Sequence, residues 1–130
     1  MPKSKIFEGY WTVDDLRCNK NSLFVYGYND IKKGKKGQAI IRDEPNAIGI
    51  PTKKYPSLYN HSFYTDTEFE LNKKKIDNAI ELLLEKSINY DYIVFPKDGL
   101  GTGLAKMDTK APKTFAYLSE RIREFILKYL

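Results

Sequence analysis

Asp98 begins the stretch of this chain best suited to chemistry, because glycines alternate behind it in Asp98-Gly99-Leu-Gly101-Thr102-Gly103-Leu104. Glycines at this spacing let backbone N–H groups turn inward and approach a ligand closely, so an anion can be held without a charged side chain. A carboxylate at the mouth of such a loop can take a proton from water. Asp98 is therefore a candidate general base, although aspartate beside glycine is equally a favoured turn former. A second stretch has the same character: Gly27-Tyr-Asn29 is followed by Gly34, Gly37 and Gln38, with Lys32, Lys33, Lys35 and Lys36 interspersed. Thr52 and Lys53 lie just past the end of a third apolar run. Neither loop is a standard nucleotide fingerprint, since Gly99-Leu-Gly-Thr-Gly103 lacks the third glycine of the dinucleotide motif at its required place and no Gly-Lys-Ser/Thr of a P-loop follows. One glycine loop is as readily a tight turn as a site. Two of them make a ligand site the stronger reading.

The elements that must position these loops follow from the apolar pattern. Tyr92 to Phe95 is an aromatic and β-branched run too short for a buried helix, so it reads as an interior strand closed by Pro96. Leu23 to Tyr26, ending in Gly27, and Ala47 to Pro51 read the same way, and Ile6 to Trp11 as an edge strand. Thr12 with Asp15 predicts a capped helix to about Asn19. Gln38 to Ile41 predicts a short helix ended by Pro45, its first amides available to an anion. Residues 54–67 read as loop with one short strand at Ser62 to Tyr64. Its aromatic residues Tyr55, Tyr59, His61, Phe63 and Tyr64 suit covering the core better than stacking on a base. Two amphipathic helices are predicted. One runs over about 67–86 with Phe69, Ile76, Ala79, Ile80, Leu83 and Leu84 on its apolar stripe. The other follows an Asp108-Thr109 N-cap with Pro112 in its first turn, and carries Phe115, Leu118, Ile122, Phe125, Ile126 and Tyr129 on one face. Strand, loop and helix alternate, which predicts a three-layer α/β/α single domain over residues 1–130 with a mostly parallel or mixed central sheet. Ligands of such sheets bind beyond the carboxyl ends of the strands, where the segments after Tyr26, Pro51 and Phe95 gather.

Composition narrows the partners. The chain has 130 residues, enough for one core, and a formal net charge of +5, which favours anionic partners in general. Lys32 to Lys36 and Lys73 to Lys75 account for much of the positive charge and suit solvated surface. Cys18 is the only cysteine, so no internal disulfide forms, and nothing resembles a signal peptide or membrane span. A cytoplasmic location with no membrane partner is expected. Cys18 and His61 sit in no telling context for a nucleophile and base, and a zinc ligand set is missing, so no metal and no cofactor are expected. The sequence does not speak to oligomeric state.

In order, Gly27-Tyr-Asn29, Gly34-Lys-Lys-Gly37-Gln-Ala39, Ile50-Pro-Thr-Lys53 and Gly101-Thr-Gly-Leu-Ala105 resemble pieces of the macro domain, the ADP-ribose-binding α/β module. The likeness is to its small, divergent bacterial and phage relatives, and it covers roughly Leu23 to the end. It implies an ADP-ribose-like nucleotide ligand, with Asn29, Gly34 and Gly37 facing the ribose and Gly101, Thr102, Gly103 and Leu104 facing the phosphates. It also implies a possible enzyme activity, hydrolysis of an ADP-ribose ester or phosphate. There Asp98 would activate water, Asn29 would position the ribose and Lys53 would steady charge. Two departures stand out. No acidic residue near the N-terminus matches the one that commonly reads adenine, and lysines occupy the first loop where macro domains crowd glycines, which implies a ligand with more phosphate. Two alternatives belong to other classes. One is a nucleic-acid-binding module using the loop lysines and tyrosines, disfavoured because the lysines form no extended stripe. The other is a protein-interaction domain that kept the fold and lost the ligand.

Overall fold

Alternation along the second strand decides the layering. Leu23 and Val25 belong to one buried cluster and Phe24 and Tyr26 to another, and successive strand side chains point to opposite faces, so the sheet is covered on both sides. The structure, a computed structural model, describes residues 2–130. Its strands are β1 (Lys3–Phe7), β2 (Ser22–Asn29), β3 (Ala47–Lys53) and β4 (Tyr92–Pro96). Its helices are α1 (Val13–Arg17), α2 (Phe69–Ser87), α3 (Met107–Lys110) and α4 (Pro112–Lys128), with single 3₁₀ turns at Gly37–Ile41, Asn60–Ser62, Asp66–Glu68 and Gly103–Ala105. The sheet has the order β1-β4-β2-β3, and every pair is parallel. Helices α2 and α4 cover the Leu23 face, where Ile76, Leu83 and Leu118 are fully buried. Helix α1, Trp11 and the turn at Gly37–Ile41 cover the Phe24 face. The fold is thus a three-layer α/β arrangement around a parallel sheet.

The strand order creates a crevice. From β1 through β2 to β3 the chain advances in one direction, and then it returns to insert β4 between β1 and β2. Parallel crossovers are right-handed in nearly all proteins, so a reversal of direction requires the return connection, α2, to lie on the opposite face from α1. At the carboxyl ends, β1 and β2 therefore send the chain to one face while β4 sends it to the other. Such a switch point leaves a gap at the sheet edge where ligands bind in open α/β folds.

Several element boundaries differ from the sequence pattern. The first strand is Lys3–Phe7 rather than Ile6 to Trp11, because Gly9 at φ 90° takes the chain out of the extended region. β2 and β3 run on to Asn29 and Lys53, which pair across a register shift at Tyr28 and Asn29. Gln38 to Ile41 is a 3₁₀ turn within Gly37–Ile41. No strand forms at Ser62 to Tyr64; instead, Phe63 and Tyr64 leave the Asn60–Ser62 turn and bury their rings at 2% and 1% exposure. Asp108 and Thr109 cap nothing, since they lie inside α3. The chain breaks at Ala111, as the residue before a proline is disfavoured in the α region. The α4 N-terminus is capped from a distance by Asp66, whose carboxylate accepts the Lys113 and Thr114 amides and the Thr114 hydroxyl, each at 2.9 Å. The capping box of Thr12 and Asp15 forms as the sequence predicts.

Candidate functional site

A cleft of about 760 Å³ opens at this edge, walled by the segments that follow all four strands. That volume suits a small organic ligand. Gln38 ties its two principal walls together: the side chain accepts the Gly27 amide at 3.0 Å and donates to the Gly99 carbonyl at 2.9 Å. Its own backbone carbonyl accepts the Trp11 indole N–H at 3.1 Å. Trp11 is fixed in turn by edge-to-face contacts with Phe7 and Phe24, at centroid distances of 5.9 and 5.6 Å. An aromatic anchor on the α1 face thus sets the position of a polar strut between the loops.

The wall after β4 carries the amides. Gly101 is held at φ 88° with Met107 and Phe115 packed behind it, where a Cβ would come within 3.1 Å of the Met107 sulfur. Gly103 also has positive φ, 59°, but a Cβ there would meet nothing within 4 Å. The Thr102 hydroxyl donates to the Asp98 carbonyl at 3.1 Å and closes the loop on itself. Among the described residues, no acceptor pairs with the N–H groups of Thr102, Gly103 or Leu104. These are cleft-lining donors left available to an anion.

Lys53 lines the same cleft from the end of β3. It is 7% exposed, and its Nζ lies 4.8 Å from the Phe63 ring centroid without an ion pair or hydrogen bond among the described residues. Burial pushes its pKa below the ordinary lysine value, and the neighbouring Lys106 charge pushes the same way. The stem of the side chain is buried while the ammonium itself keeps contact with solvent, so its desolvation is partial. Of the other cations of the cleft, Arg42 donates to the Gly34 carbonyl at 2.9 Å, Lys35 pairs with Asp43, and Lys97 pairs with Glu8 at 3.4 Å, whereas Lys33 and Lys36 are exposed and form no ion pair among the described residues. Asp98 is the sole carboxylate among the lining residues. It is exposed, and its side chain makes no hydrogen bond among the described residues.

The isolation of Lys53 gives a direct expectation. Lys53→Met should raise stability modestly, because the apolar replacement removes the desolvation cost of an ammonium that is only partly withdrawn from water. The gap between the two proteins should narrow as pH rises through the lowered pKa of Lys53 toward about 10.4, since the unfolded state there binds more protons than the native state. Urea melts over this pH range provide the check. A destabilised variant would mean that the ammonium is satisfied within the fold.

The structure brings together Gly27, Asn29, Gly34, Gly37, Gln38, Thr52, Lys53, Asp98, Gly101, Thr102, Gly103 and Leu104 in one cleft. Gly99 does not line it and contributes through its carbonyl to Gln38. Asn29 lies against the cleft, yet its carboxamide braces the loop, donating to the Lys33 carbonyl at 2.6 Å and accepting the Lys33 amide. Tyr10, Trp11 and Arg42 also line the cleft, and the sequence pattern did not single them out. A signal for the first two exists, because Gly9 follows β1 as the glycines of the later loop follow β4. Reading residues 6–11 as strand concealed it.

A family model described as a family of unknown function, DUF7831, matches residues 6–121, from the end of β1 through β2, β3 and β4 to the middle of α4. The chain belongs to DUF7831. No curated protein and no solved structure matches it. The matched range of this DUF7831 chain includes every wall of the cleft, from Gly9 to Ala105. Among the described residues, no helix is long and apolar enough to cross a membrane, and no group of three or more His, Cys, Asp or Glu is placed to hold a metal ion.

Proposed function

We propose that the cleft binds a nucleotide derivative of the ADP-ribose kind. The observation that carries this reading is a set of uncommitted donors on the cleft lining: unpaired amides at Thr102 to Leu104, and the Lys53 ammonium, which has no partner among the described residues. Both are satisfied by phosphate oxygens, and both lie at the sheet position where nucleotides are held in related architectures. The loop from Asn29 to Gly37 suits a ribose, with Asn29 fixing the backbone that would meet it. Tyr10, 90% exposed beside Gly9, supplies an aromatic face for the base.

Hydrolysis of an ADP-ribose ester or phosphate is a second reading, favoured by Asp98. As the sole carboxylate on the cleft lining, with its oxygens uncommitted, it is the group able to activate water beside a bound phosphate. Lys53 would then stabilise charge developing on the leaving group.

A thermal-shift panel tests binding, because a ligand of the native state raises apparent stability by mass action. At a concentration a hundred times its Kd, ADP-ribose should stabilise by about 2.7 kcal/mol. For a domain of this size that corresponds to a rise in Tm on the order of 10 °C. The shift should change little between 50 and 200 mM salt. No shift with ADP-ribose, together with steeply salt-dependent stabilisation by a short oligonucleotide, would replace this reading with nucleic-acid binding through the exposed loop lysines.

A further inference from the structure

We infer that Lys53, Lys106 and Lys110 form an anion subsite around Phe63, at the β3 end of the cleft, which takes a phosphate-sized dianion. Their ammonium groups lie 4.8, 5.9 and 5.4 Å from the centroid of that one ring. They come from separate parts of the chain. Lys53 ends β3, Lys106 joins the Gly103–Ala105 turn to α3, Lys110 ends α3, and Phe63 is buried after the Asn60–Ser62 turn. The gathering is therefore a product of the fold rather than of a local run of lysines.

Nothing among the described residues neutralises the trio. Among the described residues, none of the three forms an ion pair. Like charges at Lys106 and Lys110, four residues apart, oppose the short helix between them. Lys106 also takes φ 46°, a conformation unfavourable for a residue with a side chain. An unpaired, partly desolvated ammonium, a like-charge pair and a strained backbone meet at one place, and an anion would relieve at least the first two. The aromatic ring contributes through its negative face to holding the cations near one another. A phosphate monoester, carrying about −1.5 to −2 charge at pH 7, matches three ammonium donors better than a singly charged diester does.

The subsite deepens the proposed function, on which its biological ligand rests: Lys53 is shared with the cleft, whereas Lys106 and Lys110 do not line it. A nucleotide on the Thr102 to Leu104 amides would reach the trio with a further anionic group. Alternatively, the trio would hold a separate anion beside the nucleotide.

The test uses the intact chain labelled with ¹³C at the lysine ε position and titrated with inorganic phosphate at constant ionic strength, with ADP-ribose titrated separately. The Lys53, Lys106 and Lys110 resonances should move together on one saturation curve, while those of exposed Lys3 and Lys20 stay still. The Lys106→Met/Lys110→Met double variant should weaken phosphate binding at least tenfold, and its ADP-ribose affinity should remain within about threefold. Uniform small movement of all lysines, or unchanged phosphate affinity in the double variant, overturns the subsite. Loss of ADP-ribose binding with the phosphate response intact would remove the nucleotide reading alone. Both variant positions are exposed, so folding is retained, and a melting curve verifies this.

Discussion

Gly103→Val should lower ADP-ribose affinity by more than a hundredfold while leaving a folded protein, whereas Gly101→Val should fail at the level of folding. The two glycines are neighbours in the same loop with similar left-handed backbones, at φ 59° and 88°. What lies behind them differs. A Cβ at Gly101 would come within 3.3 Å of the Phe115 ring and closer still to Met107, both part of the core around β4 and α4. A valine there combines overpacking with an unfavourable φ, a cost on the order of 3 kcal/mol or more. At Gly103 nothing stands within 4 Å, so the strain is confined to the backbone, about 1–2 kcal/mol. The added methyl groups then occupy cleft space beside the Thr102 to Leu104 amides, where phosphate must approach closely. Titration calorimetry with parallel melting curves separates the two outcomes. Retained affinity in a folded Gly103→Val protein would reduce this loop to a tight turn.

Asp98→Asn should lower turnover of an ADP-ribose ester or phosphate on the order of a hundredfold, with ligand affinity within a few-fold of wild type. A positioned general base contributes about 10²–10⁴ in rate, and asparagine cannot accept the proton. The substitution is benign for the fold, since the side chain is exposed and makes no hydrogen bond within the protein, and Asn keeps the size and one acceptor oxygen. The Asp98 carbonyl that receives the Thr102 hydroxyl is unchanged by it. Measuring product with both proteins side by side decides between the readings. Equal rates would clear Asp98 of catalysis, and because no second carboxylate lines the cleft, binding without turnover would then stand.

The layers of this fold are legible in the sequence because they are written in periodicity. Ile76, Ala79, Ile80 and Leu83 recur at helical spacing and are buried, and Leu23 to Tyr26 is apolar at every position because both of its faces are covered. The cleft is legible where glycines come at or after the end of an apolar run, as at Gly27, Gly101 and Gly103. What the sequence does not display are interactions between distant residues. The cap of α4 comes from Asp66, 47 and 48 residues before the amides that it accepts, while Asp108 and Thr109 have the local signature of a cap and do not serve as one. Likewise Lys53 looks like any lysine in the chain. Its significance comes from Phe63 and Lys106 around it, which no local pattern announces.

The position of Gln38 bears on how fast a ligand enters. Its side chain joins the Gly27 amide to the Gly99 carbonyl, so the two loops are tied to each other across the mouth of the cleft. That tie forms on folding, so less of the ordering is left to accompany binding. Entry is then governed by diffusion and by the field of the surrounding lysines, and the preorganised mouth places differences in affinity among ligands in their dissociation rates.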